Sequence, residues 1–323
     1  MFGIRFDLRN PAFSGVADVD RYRAAVEMAA WADERGALLV VLSEHHGSPD
    51  GYLPSPIPLA AAIAARTKNA RIALMALIAP FHDPIRLAED LAVVDLVSGG
   101  RLDIAIAGGY VHSEFAMFGA DMSDRGQRVR AMVQTLKAAW TGAPFEYEGR
   151  TVQVLPKPAQ KGGPRITLGG SSEAAARRAA RIADGFMPTD ASFWAAYRDE
   201  CAVVGKRDPG AAPPISGSVV TLAEEPEVAW AELAPYFLHE MNAYGAWQAE
   251  DHLETIYRPV SGVDELQATG QYRVLNPEDY VAELKAEPST FTMLHPMVGG
   301  IPPTIAWESL RLYEQRVLPQ LPT

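Results

Sequence analysis

Along the chain, short apolar runs alternate with longer stretches in which apolar residues recur every three to four positions. Residues 2–8 (FGIRFDL) alternate with the two-residue period of a strand, and residues 19–35 carry Tyr22, Val26, Ala29, Ala30 and Trp31 on one helical stripe that Gly36 stops. The continuous apolar run at 38–42 (LLVVL) predicts a parallel strand buried on both faces. An Ala-rich helix is predicted at 58–66, a strand at 71–79, a helix at 84–97 opened by Pro84 and closed by Gly99-Gly100, a strand at 102–107 and a helix at 124–140. The second half repeats the rhythm, with strands at 165–168, 185–188, 215–222 and 291–294 and helices at 172–183, 192–204 and 304–317.

Eight such alternations predict an α/β fold, a closed (β/α)8 TIM barrel with insertions, rather than an open doubly wound sheet. A barrel of this kind needs about 250 residues, so the remainder of the 323 belongs to insertions. The clearest spans 224–277, holds Trp230, Tyr236, Phe237, Tyr244 and Trp247, and shows no strand period; it is expected to form a lid. A single domain over residues 1–323 is expected.

Composition narrows the function. With 29 Lys+Arg against 40 Asp+Glu, the net charge is −11, which argues against nucleic acid or an anionic membrane as partner. The one cysteine, Cys201, excludes an internal disulfide framework and a cysteine metal cluster. Charges at Arg5, Asp7 and Arg9 stand where a signal peptide would be apolar, and no apolar run has membrane-spanning length. A cytoplasmic protein is the expectation.

In a barrel, chemistry gathers just after the strands. Ser43-Glu44-His45-His46 follows LLVVL, and only one of two adjacent imidazoles would face the barrel mouth. Without HxH or HExxH spacing no metal is expected, and a single general acid/base histidine is the functional reading. Leu168-Gly169-Gly170-Ser171-Ser172-Glu173, where a strand runs into a helix, suits an anion, although a turn with a helix cap explains it equally well. Ala107-Gly108-Gly109-Tyr110 ends another strand, where paired glycines admit a close approach or simply form a turn. His239, Asn242, Tyr244 and Trp247, with His295 after the last strand, are candidates for a substrate pocket, although a packed helix with aromatic anchors explains them equally well.

Taken in order, SEHHGSPDGYLPSP, ALIAPFHDPIRLAEDLAVVDLVSGGRLDIAIAGGY, SEFAMFGADM, LGGSSEAAARRAARIADGFMP and LHPMVGGIPPTIAWESLRLYEQRVLP resemble the bacterial luciferase-like family of flavin-dependent monooxygenases. The resemblance covers roughly residues 1–190 and 290–320. It implies FMN at the C-terminal mouth of the barrel and His45 as the active-site histidine. It also implies a backbone bulge at Met75-Ala76 against the flavin ring, and Gly109, Tyr110, Gly170, Ser171 and Ser172 on the cofactor's phosphate side. Members commonly carry an Arg where this chain has Gly108, which weakens the phosphate grip or leaves room for another tail.

By that resemblance, the chain uses O2 and reduced FMN, supplied by a separate reductase, to oxygenate a small, largely apolar organic substrate, and it forms a homodimer. Two alternatives remain: hydride transfer with a deazaflavin coenzyme, and a non-catalytic flavin-binding protein on the same scaffold.

Overall fold

The computed structural model describes residues 1–212, 217–250 and 255–321. The chain opens with β1 (Phe2–Phe6), α1 (Asp18–Glu34), β2 (Leu39–Leu42), α2 (Pro56–Arg66) and β3 (Arg71–Ile78). Asp18 and Asp20 sit in the first turn of α1, where the helix dipole favours acids. There follow α3 (Pro84–Ser98), β4 (Leu102–Ala107), α4 (His112–Phe118) and α5 (Arg125–Ala139). α3 is bounded by side-chain chemistry: Asp83 accepts from the Arg86 N–H, Pro84 pre-sets the first turn, and Gly99 ends it at φ 67°.

Next come β5 (Phe145–Tyr147), β6 (Arg150–Val152), β7 (Arg165–Gly170), α6 (Glu173–Ile182), β8 (Gly185–Pro188) and α7 (Phe193–Val203). β5 and β6 form an antiparallel hairpin, which the strand–helix alternation did not anticipate. Its loop, Glu148-Gly149, has φ of 47° and 74°, the left-handed pair that a tight two-residue hairpin requires. The last third comprises β9 (Val219–Leu222), α8 (Pro226–Glu250), α9 (Val263–Ala268), β10 (Tyr272–Leu275), α10 (Pro277–Ala286), β11 (Thr292–Leu294) and α11 (Pro303–Leu312). The first two residues of the strand expected at 215–222 lie outside the described residues.

Two compact units emerge: Met1–Val41 with His45–Pro54 and Ser216–Thr323, and Leu42–Glu44 with Ser55–Ile215. In the second, β3, β4, β7 and β8 lie side by side in that order. They run parallel, with Ile72 opposite Leu102, Ile104 opposite Ile166 and Leu168 opposite Phe186. Between Leu74 and Leu77 the register of β3 shifts, and the Met75–Ala76 peptide there is cis. In the first unit β1 lies between β11 and β2, and Phe2 and Ile4 pair with Thr292 and Leu294.

Seven of the eight expected strands are thus accounted for, three in the first unit and four in the second, which departs from the expected closed barrel of eight. The remaining one, expected at 215–222, is β9, which pairs in parallel with β10 instead, Val219 opposite Tyr272. β10 falls inside the 224–277 insertion, so the reading of that segment as strandless is also corrected. Its four residues, YRVL, bury Tyr272 and Val274 alternately, and so short a run leaves little period to detect. No described helix is long and apolar enough to cross a membrane.

Candidate functional site

His45 lies just past β2 and is buried, 7% exposed. Its backbone N–H donates to the Leu53 carbonyl, which holds the 45–53 loop closed. The imidazole sits 4.8 Å edge-on from the Tyr52 ring and 4.6 Å from the Trp247 indole at a 32° tilt. Tyr244 stands 6.0 Å away and shares a 2.8 Å hydrogen bond with the Tyr52 hydroxyl. Tyr244 and Trp247 are three residues apart on α8, so they project from one face of that helix.

Beneath these rings lies a charged layer. The Arg9 guanidinium is 4.7 Å from the ring centroids of Tyr52, Tyr244 and Trp247 and is bonded to Asp50. Burial alone would pull Arg9 down, but Tyr244, Asp50 and Asp7 outweigh it and keep the group charged. Asp50 also pairs with His239 Nε2 at 2.7 Å, which accounts for that expected pocket histidine. Arg5 donates to the Tyr244 hydroxyl at 3.1 Å.

His295 is 4% exposed and lies between two acids, Nε2 3.4 Å from Asp7 Oδ2 and Nδ1 4.0 Å from Glu240 Oε1. Ligand atoms of Asp7, Glu240 and His295 lie within 4.8 Å of one another, a set able to hold a small cation. Asp7, Asp50 and Glu240 also face the guanidinium groups of Arg5 and Arg9 in the same layer. Burial raises the Asp7 carboxyl, but His295, Arg9 and Arg5 outweigh it and hold Asp7 down to about 2.

The residues expected to meet the cofactor belong to the second unit. Met75 and Ala76 are partly exposed while Leu74 and Leu77 on either side are fully buried, so the register shift of β3 turns this backbone outward. Gly109 has φ 78°, and a Cβ there would stand 2.9 Å from Ile78 Cγ2 and 3.1 Å from the Phe115 ring. Only glycine fits.

The Arg125 side chain runs 3.5 Å from where a Cβ of Gly108 would be, and its Nη1 donates to the Gly109 carbonyl at 3.4 Å. A guanidinium from α5 thus stands beside Gly108. Tyr110 is partly exposed in the same loop. Gly170 lets α6 pack against β7, since a Cβ there would sit 2.4 Å from that of Ala175. Ser172 caps α6 by accepting from the Ala175 N–H at 3.2 Å, and both Ser171 and Ser172 are exposed at that helix start. An outward backbone platform, a side-chain-free loop with a guanidinium beside it and an exposed helix N-terminus suit a flat ring with an anionic tail.

Glu44 is buried in the second unit. One oxygen accepts from the Ile78 N–H at 2.9 Å, and the other pairs with His82 Nε2 at 2.8 Å. Burial pulls His82 down, but that bond and the charge of Glu44 outweigh it and raise it above the ordinary imidazole value.

Sequence reasoning did not single out Arg9, Arg5, Asp50, Tyr52, Glu240, Arg125 or His82. For the first two a signal existed: Arg5, Asp7 and Arg9 recur at period two, although only Arg5 lies within β1 and the other two follow its end. For Asp50, Glu240 and Arg125 nothing local distinguishes them from solvated charges.

A profile of the luciferase-like monooxygenase family matches residues 1–290. The oxygenase component of a flavin-dependent trigonelline monooxygenase from Acinetobacter baylyi is 34% identical over 152 residues. That match takes in 45% of this chain and 42% of the relative, so the chain spans less than half of that relative's length. Among solved structures, the monooxygenase RslO1 from Streptomyces bottropensis superposes with a TM-score of 0.77 at 25% identity, over 98% of each chain. An F420-dependent secondary alcohol dehydrogenase bound to an F420–acetone adduct gives 0.71 at 14% identity, over 100% of this chain and 99% of that one, a likeness of fold alone. By the profile match the chain is a member of the luciferase-like monooxygenase family.

Proposed function

We propose that this chain is the oxygenase of a two-component, flavin-dependent monooxygenase, taking reduced FMN from a separate reductase and O2 to oxygenate a small, largely apolar organic substrate. The observation that carries the reading is the setting of His45, a buried imidazole walled by Tyr52, Tyr244 and Trp247 directly after a strand. Bound reduced flavin supplies the electrons that activate oxygen. Met75–Ala76, Gly109, Tyr110, Arg125 and the start of α6 with Ser171 and Ser172 hold the cofactor. His45 moves a proton to or from the reacting group, and the surrounding rings exclude water and favour an apolar substrate.

A flavin is preferred because the 34%-identical relative is named as flavin-dependent, and FMN because a 29%-identical relative is named as FMNH2-dependent. The absent side chain at Gly108 favours, as a second reading, a deazaflavin coenzyme and hydride transfer. Titration of the protein with FMN and with the deazaflavin, followed by fluorescence, separates the two. Mixing the reduced complex with O2 and assaying oxygenated product then tests the monooxygenase; consumption of oxygen without product from any candidate substrate would overturn it. A homodimer is part of the proposal, supported by the exposed row Val93, Leu96 and Val97 on α3. Sedimentation at micromolar concentration checks it.

A further inference from the structure

Glu44 is the residue before His45, and its side chain is wholly shielded from solvent. A carboxylate in such a place is unfavourable unless its charge is met, and both oxygens are engaged: one by the backbone N–H of Ile78, the other by His82. Ile78 closes β3, immediately after the register shift that turns Met75–Ala76 outward. Its side chain comes to 2.9 Å from the point a Cβ of Gly109 would occupy, so the placement of Ile78 bounds how the 108–110 loop can lie. One buried carboxylate is thus linked by contact to both parts of the second unit expected to meet the flavin.

We propose that Glu44 is a positioning residue: by gripping the Ile78 amide against His82 it fixes the end of β3, and through the Ile78 side chain it sets the Gly109 loop that receives the cofactor. The proposal rests on the flavin reading above. It assigns Glu44 no proton transfer and no contact with the substrate. Glutamine at this position keeps an oxygen for the Ile78 N–H, whereas alanine leaves that buried amide without a partner.

Two measurements test it: hydrogen exchange at the Ile78 amide in the protein alone, and titration with oxidised FMN followed by flavin fluorescence. E44A is expected to speed Ile78 exchange by about tenfold or more and to weaken FMN binding about tenfold. E44Q is expected to restore both to within about threefold. If E44A does not fold, E44D, whose carboxylate is one methylene short of Ile78, carries the same expectations as E44A. Unchanged Ile78 exchange in the alanine or aspartate variant overturns the anchor. Faster exchange with unaltered FMN affinity overturns its role toward the cofactor, and so does failure of E44Q to rescue. Failure of the unsubstituted protein to bind FMN overturns the flavin reading instead, and the exchange data still decide the anchor.

Discussion

The imidazole of His45 and the indole of Trp247 lie 4.6 Å apart at a tilt of 32°, although 202 positions of sequence separate them. The indole shields one side of that imidazole. H45A is expected to leave flavin binding nearly intact and to lower product formed per reduced flavin by about 100-fold or more. W247L, which retains the histidine, should give a smaller loss in the same assay. Equal product yield from H45A and the unsubstituted protein would remove His45 from the reaction.

Arg9 and Asp50 form a buried ion pair whose loss differs from that of a surface pair. Removing Asp50 leaves the Arg9 guanidinium under Tyr52, Tyr244 and Trp247 with Asp7 3.9 Å away, and removing Arg9 leaves buried Asp50 with His239 as its partner. R9M and D50N should each lower unfolding stability by about 3–5 kcal/mol in urea titrations. The double variant R9M/D50N should lose less than the sum of the two.

The held-down carboxyl of Asp7 predicts an acid limb to the stability curve. Its folded value of about 2 lies below its ordinary value of 3.8. The stabilisation is therefore fully present above pH about 4 and is lost as the pH falls toward the folded value. Thermal melts between pH 5 and pH 2, about as far as this window extends, should fall less steeply for D7N than for the unsubstituted chain. Parallel slopes would show that Asp7 titrates alike in both states.

Two neighbouring glycines should respond differently to alanine. At Gly109 the left-handed φ and the closeness of Ile78 and Phe115 leave no room, so G109A should cost about 1–3 kcal/mol and weaken flavin binding. At Gly108 the nearest atoms belong to the flexible Arg125 stem at 3.5 Å, so G108A should stay within about 0.5–1 kcal/mol of the parent. Chemical denaturation of the two variants side by side checks the contrast.

Much of the fold was legible because its signals are local. Leu38–Leu42 and the run at 102–107 are apolar enough to be buried strands wherever they pack, and Asp83, Pro84 and Gly99 bound α3 through chemistry within a turn of each end. The short hairpin at 145–152 and β10 escaped because three or four residues carry almost no period. His45, Tyr244 and Trp247 were legible as candidates, but their meeting was not.

The amino-acid order by itself determined the alternation of strands and helices, the family resemblance and the position of His45 at a strand end, since each depends on neighbours within a few residues or on an ordered string of motifs. Only the tertiary structure decided that β9 would pair with β10, that Arg9 would lie under three rings, and that Glu44 would hold the Ile78 amide. Those outcomes depend on which buried polar groups find partners across dozens to hundreds of residues, and no local period encodes that choice.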